Sequence, residues 1–120
     1  IYLDLAAEGL MDAYQPDIVS IGFSNWKEIE DSLQKYKVKT QPHCFFNGVF
    51  GTRASIVYGA ASETFISVED ERCSPHIFKP DGFSFVNGKY SVPDVPGLGL
   101  EIDPDRYMQK YACTAVSVRI

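Results

Sequence analysis

Two carboxylates and a histidine stand at equal intervals in this chain: 26 residues separate Asp17 from His43, and 26 more separate His43 from Glu69. Histidine as a residue type changes charge close to neutral pH, so it both takes and returns a proton under working conditions. A carboxylate beside it holds one ring nitrogen as a donor and leaves the other facing a substrate. A second acid, when protonated, donates a hydrogen bond to a substrate oxygen on which charge builds up. An acid, a histidine and an acid gathered at one place make a proton-transfer kit.

The elements around them suggest how they are gathered. Asp17, His43 and Glu69 each close a short run that reads as a buried strand, over residues 10–16, 37–42 and 63–68. The interval suits one strand, a loop, a helix and a return to the next parallel strand. Between the first two runs, Trp26, Ile29, Leu33 and Tyr36 fall at helical spacing, with Ser24 or Asn25 as cap and Ile18–Gly22 still extended or looped. Lys27, Glu28, Glu30, Asp31 and Lys35 would form the solvated side. Between the second and third runs, Asn47-Gly48 marks a loop, and a helix from about Phe50 to Ala61 carries small residues suited to close packing. In a (β/α) barrel, side chains at the C-terminal ends of parallel strands converge on one mouth, where catalysis is done.

Beyond Asp70 the character changes. Residues 71–81 read as a polar loop with two prolines, and residues 83–92 as a hairpin turning at Asn87-Gly88. A stiff extended segment follows to Asp103, then a short helix through Lys110 with Pro104 in its first turn. The tail from Ala112 to Ile120 alternates weakly and reads as a candidate strand.

The 120 residues support one modest core, and a net charge of −5 with scattered Lys and Arg argues against nucleic acid as the main partner. No apolar run approaches the length of a membrane span, and residues 1–10 lack the features of a secretion signal. Cys44, Cys73 and Cys113 are odd in number and widely spaced, which favours free thiols and a cytoplasmic setting. The chain opens in a helical pattern, closed by Gly9, with neither Met nor a cap, so a segment of something larger is expected.

Four stretches in order resemble the mandelate racemase group of the enolase superfamily. Residues 9–26, ending the first run at Asp17, are similar to its sixth barrel strand and loop. Gln41-Pro42-His43-Cys44 resembles the end of the seventh strand, and Thr64–Glu69 the eighth. Residues 87–103, with Pro96-Gly97-Leu98-Gly99, resemble the stretch returning to the capping domain. The resemblance covers residues 1 to about 105. It implies an α/β fold, the C-terminal portion of a (β/α)-barrel with strands 6 to 8 over residues 1–82. Residues 83–120 would then be a hairpin, crossing segment and tail contributing to the cap.

The same resemblance implies that His43 is a general acid/base, Asp17 its orienting partner, and Glu69 the hydrogen-bond donor to a substrate carboxylate becoming an enediolate. It implies Mg²⁺ on carboxylates of earlier strands that are not among these residues, a hydroxy-carboxylate substrate such as a sugar acid, and a homo-oligomer. The outcome would be dehydration or racemisation and epimerisation, and the residues do not choose between them. Glu8, in the helix before the sixth strand, is not a metal ligand on this reading. Where the family has paired glycines, this chain has Gly22-Phe23.

Blander readings stand beside these. Asp17 also reads as a helix cap, His43 as a satisfied loop histidine, and Glu69 as part of a solvated run with Asp70 and Glu71. Trp26, Phe45, Phe46 and Phe50 read as packing rather than a substrate box. His43, Cys44, Cys73 and His76 are zinc-ligand types, though adjacent His43 and Cys44 chelate one ion awkwardly. A non-catalytic barrel remnant serving as an interaction module is the other alternative.

Overall fold

The computed structural model describes residues 1–71, 76–114, 116 and 118. Two compact units divide the chain, Ile1–Cys73 and Ser74–Ile120. In the first, α1 (Tyr2–Ala7), β1 (Ala13–Tyr14), α2 (Ile18–Gln34), β2 (Lys39–Thr40) and α3 (Gly48–Ala61) follow in order. Helix α1 ends where the glycine predicts. Gly9 takes φ +70°, its N–H bonds to Ala6 O, and Leu10 N–H reaches back to Leu5 O, the paired bonds of a Schellman stop.

Strands β1 and β2 run parallel with Ala13 opposite Lys39 and Tyr14 opposite Thr40. The ladder extends past these short strands, as the N–H groups of Lys39, Gln41 and His43 donate to Asp12, Tyr14 and Pro16 oxygens at 2.9, 3.1 and 2.9 Å. A third extended segment joins on the other side. Thr40 N–H donates to Thr64 O at 3.1 Å and Ile66 N–H to Thr40 O at 3.0 Å. The expected strand order therefore stands, but the regular strands are much shorter than runs 10–16, 37–42 and 63–68, and the third contributes one bridge, Thr40 to Phe65. Pro16 and Pro42 have no N–H to offer the ladder, which limits its regularity.

Helix α2 departs from expectation at its start. It begins at Ile18, not near Trp26, because Asp17 accepts Val19 N–H at 2.8 Å and caps a first turn there. Gly22, at φ 76° and ψ 164°, interrupts that turn and re-aims the chain into the longer helix, a conformation essentially reserved for glycine. Asn25 is no cap; its amide donates to Ile21 O.

One face of α2 closes the core. Leu33 is fully buried with Ala6 and Val38, and Tyr2, Met11, Tyr14, Ile29 and Tyr36 pack around them. Trp26 is 1% exposed, as its place on the apolar stripe predicts. Glu30, assigned to the solvated side by spacing, is instead buried. Its carboxylate accepts from Tyr58 OH at 2.6 Å, Ser62 OH at 2.6 Å, and Thr64 OH and N–H at 2.8 and 3.3 Å. Four donors from α3 and the third extended segment offset the cost of removing the carboxylate from water. Small residues in α3 allow the close packing their sequence suggests: a Cβ on Gly59 would fall 2.5–2.8 Å from the Phe65 ring.

In the second unit, β3 (Ser84–Val86) and β4 (Lys89–Ser91) form the expected hairpin, with Asn87 and Gly88 both at positive φ and the Phe85 and Tyr90 rings 4.8 Å apart. The extended segment pairs Ile102 with Phe78, and Lys79 bonds Glu101. Asp103 caps α4 (Pro104–Tyr111), accepting from Asp105 and Arg106 N–H groups. Residues 112–114 form a turn closing this helix, so no strand begins at Ala112. Residues 115, 117, 119 and 120 of the expected tail strand lie outside the described residues. Among the described residues, no helix is long and apolar enough to cross a membrane.

Candidate active site

The parallel register carries the site. Asp17 and His43 are bridged in register at the ends of the first two extended segments, and side chains at paired positions point to the same face. Their side chains meet with His43 Nδ1 3.6 Å from Asp17 Oδ2. Thr40 pairs with Phe65, an offset of 25 residues, against the 26 that relates Asp17 to His43. One extra residue before Glu69 brings it beside His43, with Glu69 N–H 3.5 Å from Pro42 O. There Cys44 N–H turns to the Glu69 side chain, donating to Oε2 at 3.0 Å. That same Oε2 lies 3.9 Å from His43 Nε2. All three residues singled out by spacing thus occupy one place, with the histidine between two acids.

Asp17 divides its partners between its two oxygens. Oδ1 caps α2, while Oδ2 accepts the Asn47 amide at 2.7 Å. Burial pushes its carboxyl toward the neutral form, but bonds from Asn47, from the Val19 and Ser20 backbone and from His43 together hold its pKa below the ordinary 3.8. Asp17 is an anion at neutral pH.

The loop between His43 and α3 is organised by a residue that reads in sequence as part of a solvated acidic run. The Glu71 carboxylate accepts from the N–H groups of Asn47 and Gly48 at 3.1 Å each, and from that of Phe46. These are orphan donors at the start of α3, whose N-cap residue Asn47 makes no capping bond with its side chain. Glu71 and Asn47 escape sequence reasoning because each acts across more than 20 residues. The one available signal is a helix starting at Asn47-Gly48 without an evident acidic cap of its own.

Cys44, next to His43, is buried beside Thr52, its Sγ 3.2 Å from the hydroxyl. Burial raises its pKa, the Thr52 bond opposes this and nearby Glu71 adds to it, which favours the protonated thiol. Phe45, Phe46 and Phe50 are exposed around the site rather than packed inward, Phe46 at 88%. The Phe45 ring sits 6.3 Å from that of His43. Of the zinc alternative, Cys73 lies outside the described residues. Among the described residues, no group of three or more His, Cys, Asp or Glu is placed to hold a metal ion.

A family model described as enolase C-terminal domain-like matches residues 2–106. The chain belongs to that family. Solved structures agree in fold. A mandelate racemase/muconate lactonizing protein from Geobacillus sp., complexed with magnesium and tartrate, is 28% identical over 94% of this chain, with a TM-score of 0.79. Galacturonate dehydratase from Geobacillus sp., complexed with D-galacturonate and 5-keto-4-deoxy-D-galacturonate, is 27% identical over 94% of this chain, with a TM-score of 0.74. An enolase superfamily member from Salmonella Typhimurium, 24% identical over 88% of this chain and 28% of its own length, matches at a TM-score of 0.72 and speaks to fold alone. No curated protein matches the chain. The chain spans 29% of the first of these structures and 30% of the second, so it corresponds to part of a family member's α/β barrel.

Proposed function

We propose that the polypeptide carrying this chain removes the proton next to the carboxylate of a sugar acid, and that loss of water follows. The observation that carries this reading is His43 held between two carboxylates at aligned strand ends, 3.6 Å from Asp17 and 3.9 Å from Glu69. Anionic Asp17 favours a proton on Nδ1 of neutral His43, which leaves Nε2 as the base. Nε2 takes the proton from the carbon adjacent to the carboxylate, and the bonding pair passes into an enediolate. Protonated His43 then gives that proton to the hydroxyl on the next carbon, whose C–O bond breaks to release water. The resulting enol tautomerises to a ketone. Glu69, held by Cys44 N–H, is assigned as hydrogen-bond donor to the substrate carboxylate, a role it fills only in its protonated form.

Dehydration is favoured over racemisation by the likeness to galacturonate dehydratase. Magnesium, present in the relatives' complexes, would be held by residues elsewhere in the polypeptide and would supply stabilisation of charge on the substrate carboxylate. The assignment of residues 1–82 to strands 6 to 8 of a barrel, and of residues 83–120 to a return toward a cap, belongs to the same proposal.

The test is a panel of uronic and aldonic acids incubated with the polypeptide and Mg²⁺ in D₂O. Deuterium should appear at the carbon beside the carboxylate or a deoxy-keto acid should accumulate, and His43→Asn should reduce both at least about a hundredfold. Exchange unchanged in His43→Asn would remove His43 from the mechanism. No exchange and no product with any acid would favour the non-catalytic module.

A further inference from the structure

Asn47 donates from Nδ2 to Asp17 Oδ2 at 2.7 Å, the oxygen that also faces His43 Nδ1. Its side chain makes no capping bond to α3, although it stands at the N-cap. Two features aim it instead at Asp17. From behind, the Glu71 carboxylate grips the backbone N–H groups of Phe46, Asn47 and Gly48, fixing the main chain from which the side chain springs. On the helix side, Gly51 leaves room for it: a Cβ there would lie 2.2 Å from Asn47 Cβ and 3.0 Å from its Cγ. Alanine ordinarily suits a helix better than glycine, yet here it would collide with the side chain crossing the first turn.

The Val19 and Ser20 N–H groups hold the carboxylate of Asp17 from the helix start, and the Asn47 amide is the side-chain donor on the oxygen that faces His43. We propose that Asn47 is a positioning residue, whose amide fixes Oδ2 against Nδ1 so that neutral His43 keeps its proton there and presents Nε2 to substrate. The inference rests on the proton-transfer reading above. The charged groups facing His43 are Asp17 from the first segment and Glu69 from the third, with Glu71 behind the loop backbone.

The experiment uses the polypeptide carrying this chain, labelled with ¹⁵N-histidine, with the His43 signals assigned by their loss in His43→Asn. Ring ¹⁵N shifts report the tautomer, which a residue serving only to support the fold would not move. Asn47→Ala should lower the fraction of neutral His43 protonated on Nδ1. It should also slow substrate deuterium exchange, with kcat down about tenfold and KM within about twofold, as expected for one lost hydrogen bond to a charged partner. Gly51→Ala should shift the tautomer in the same direction by displacing Asn47.

An Asn47→Ala protein with the wild-type tautomer, or with more Nδ1 protonation, overturns the proposal. Asp17→Asn separates the two levels. If Asp17→Asn moves the tautomer and Asn47→Ala does not, the Asn47 role alone falls; if neither moves it, the dyad falls and takes the inference with it. A tautomer that responds to Asn47→Ala in a protein showing no exchange would overturn the function and leave the positioning role standing.

Discussion

Asp17 combines a structural task with the chemical one proposed for it, and a substitution separates them. Asparagine caps a helix about as well as aspartate, so Asp17→Asn should keep the α2 start and lose only the charged acceptor of the Asn47 amide, at about 1 kcal/mol. It removes the charge beside His43, and substrate deuterium exchange should fall about a hundredfold or more. Asp17→Ala loses the cap as well and should cost about 1 kcal/mol more. Thermal unfolding alongside exchange rates distinguishes these cases; equal destabilisation by Asn and Ala would mean that the charge, not the cap, supports the fold. The dual role explains what was legible in the chain. The 26-residue spacing of Asp17, His43 and Glu69 is readable because parallel strands in register translate equal intervals into neighbouring side chains. The cap reading and the catalytic reading of Asp17 are compatible, since each uses a different oxygen. Asn47 and Glu71 were not readable, because a side chain's reach across a loop leaves no periodic trace.

Elements hide their exceptions at the positions where they meet. Periodicity found α2 and its Trp26 and Leu33 stripe, but it put Glu30 on the solvent side, because a pattern of apolar residues says nothing about donors supplied from α3 and the segment after it. Burial pushes the Glu30 carboxyl up, but the bonds from Ser62, Tyr58 and Thr64 outweigh it and hold the pKa below the ordinary 4.5. A carboxylate with a depressed folded-state pKa stabilises fully above its unfolded value and loses that contribution as pH falls through the folded one. The gap between wild type and Glu30→Gln in urea unfolding should therefore be widest at neutral pH, about 1–3 kcal/mol, and narrow below pH 4.5. A gap independent of pH would show that shape rather than charge matters at this position. The contact of α3 with the same segment gives a second prediction. Alanine at Gly59 would gain about 1 kcal/mol in helix propensity, but its methyl would overlap the Phe65 ring, at 2.5 Å, costing about 1–3 kcal/mol. Gly59→Ala should destabilise, and Gly59→Ala with Phe65→Leu should recover part of the loss.

At the scale of the whole molecule, the acid/base chemistry proposed for this chain is separate from the binding of any metal. The described residues supply a histidine, two acids beside it and the bonds that hold them, yet no group of three His, Cys, Asp or Glu placed to hold a cation. The ladder beneath the site is held by backbone bonds and by the side-chain bond between Thr40 and Thr64 at 2.8 Å, none of which involves a metal. The order of these segments should accordingly be independent of magnesium, while the reaction should depend on it. Chelating divalent ions should stop deuterium incorporation into a sugar acid. Amide exchange at Thr40 and Ile66, whose N–H groups donate across the ladder, should change by less than about twofold, because these bonds open only with local unfolding of the segment. Restoring Mg²⁺ should return the reaction without altering those amides. If chelation instead exposes them, the metal organises this segment directly, and the separation of acid/base residues from metal-holding residues is wrong.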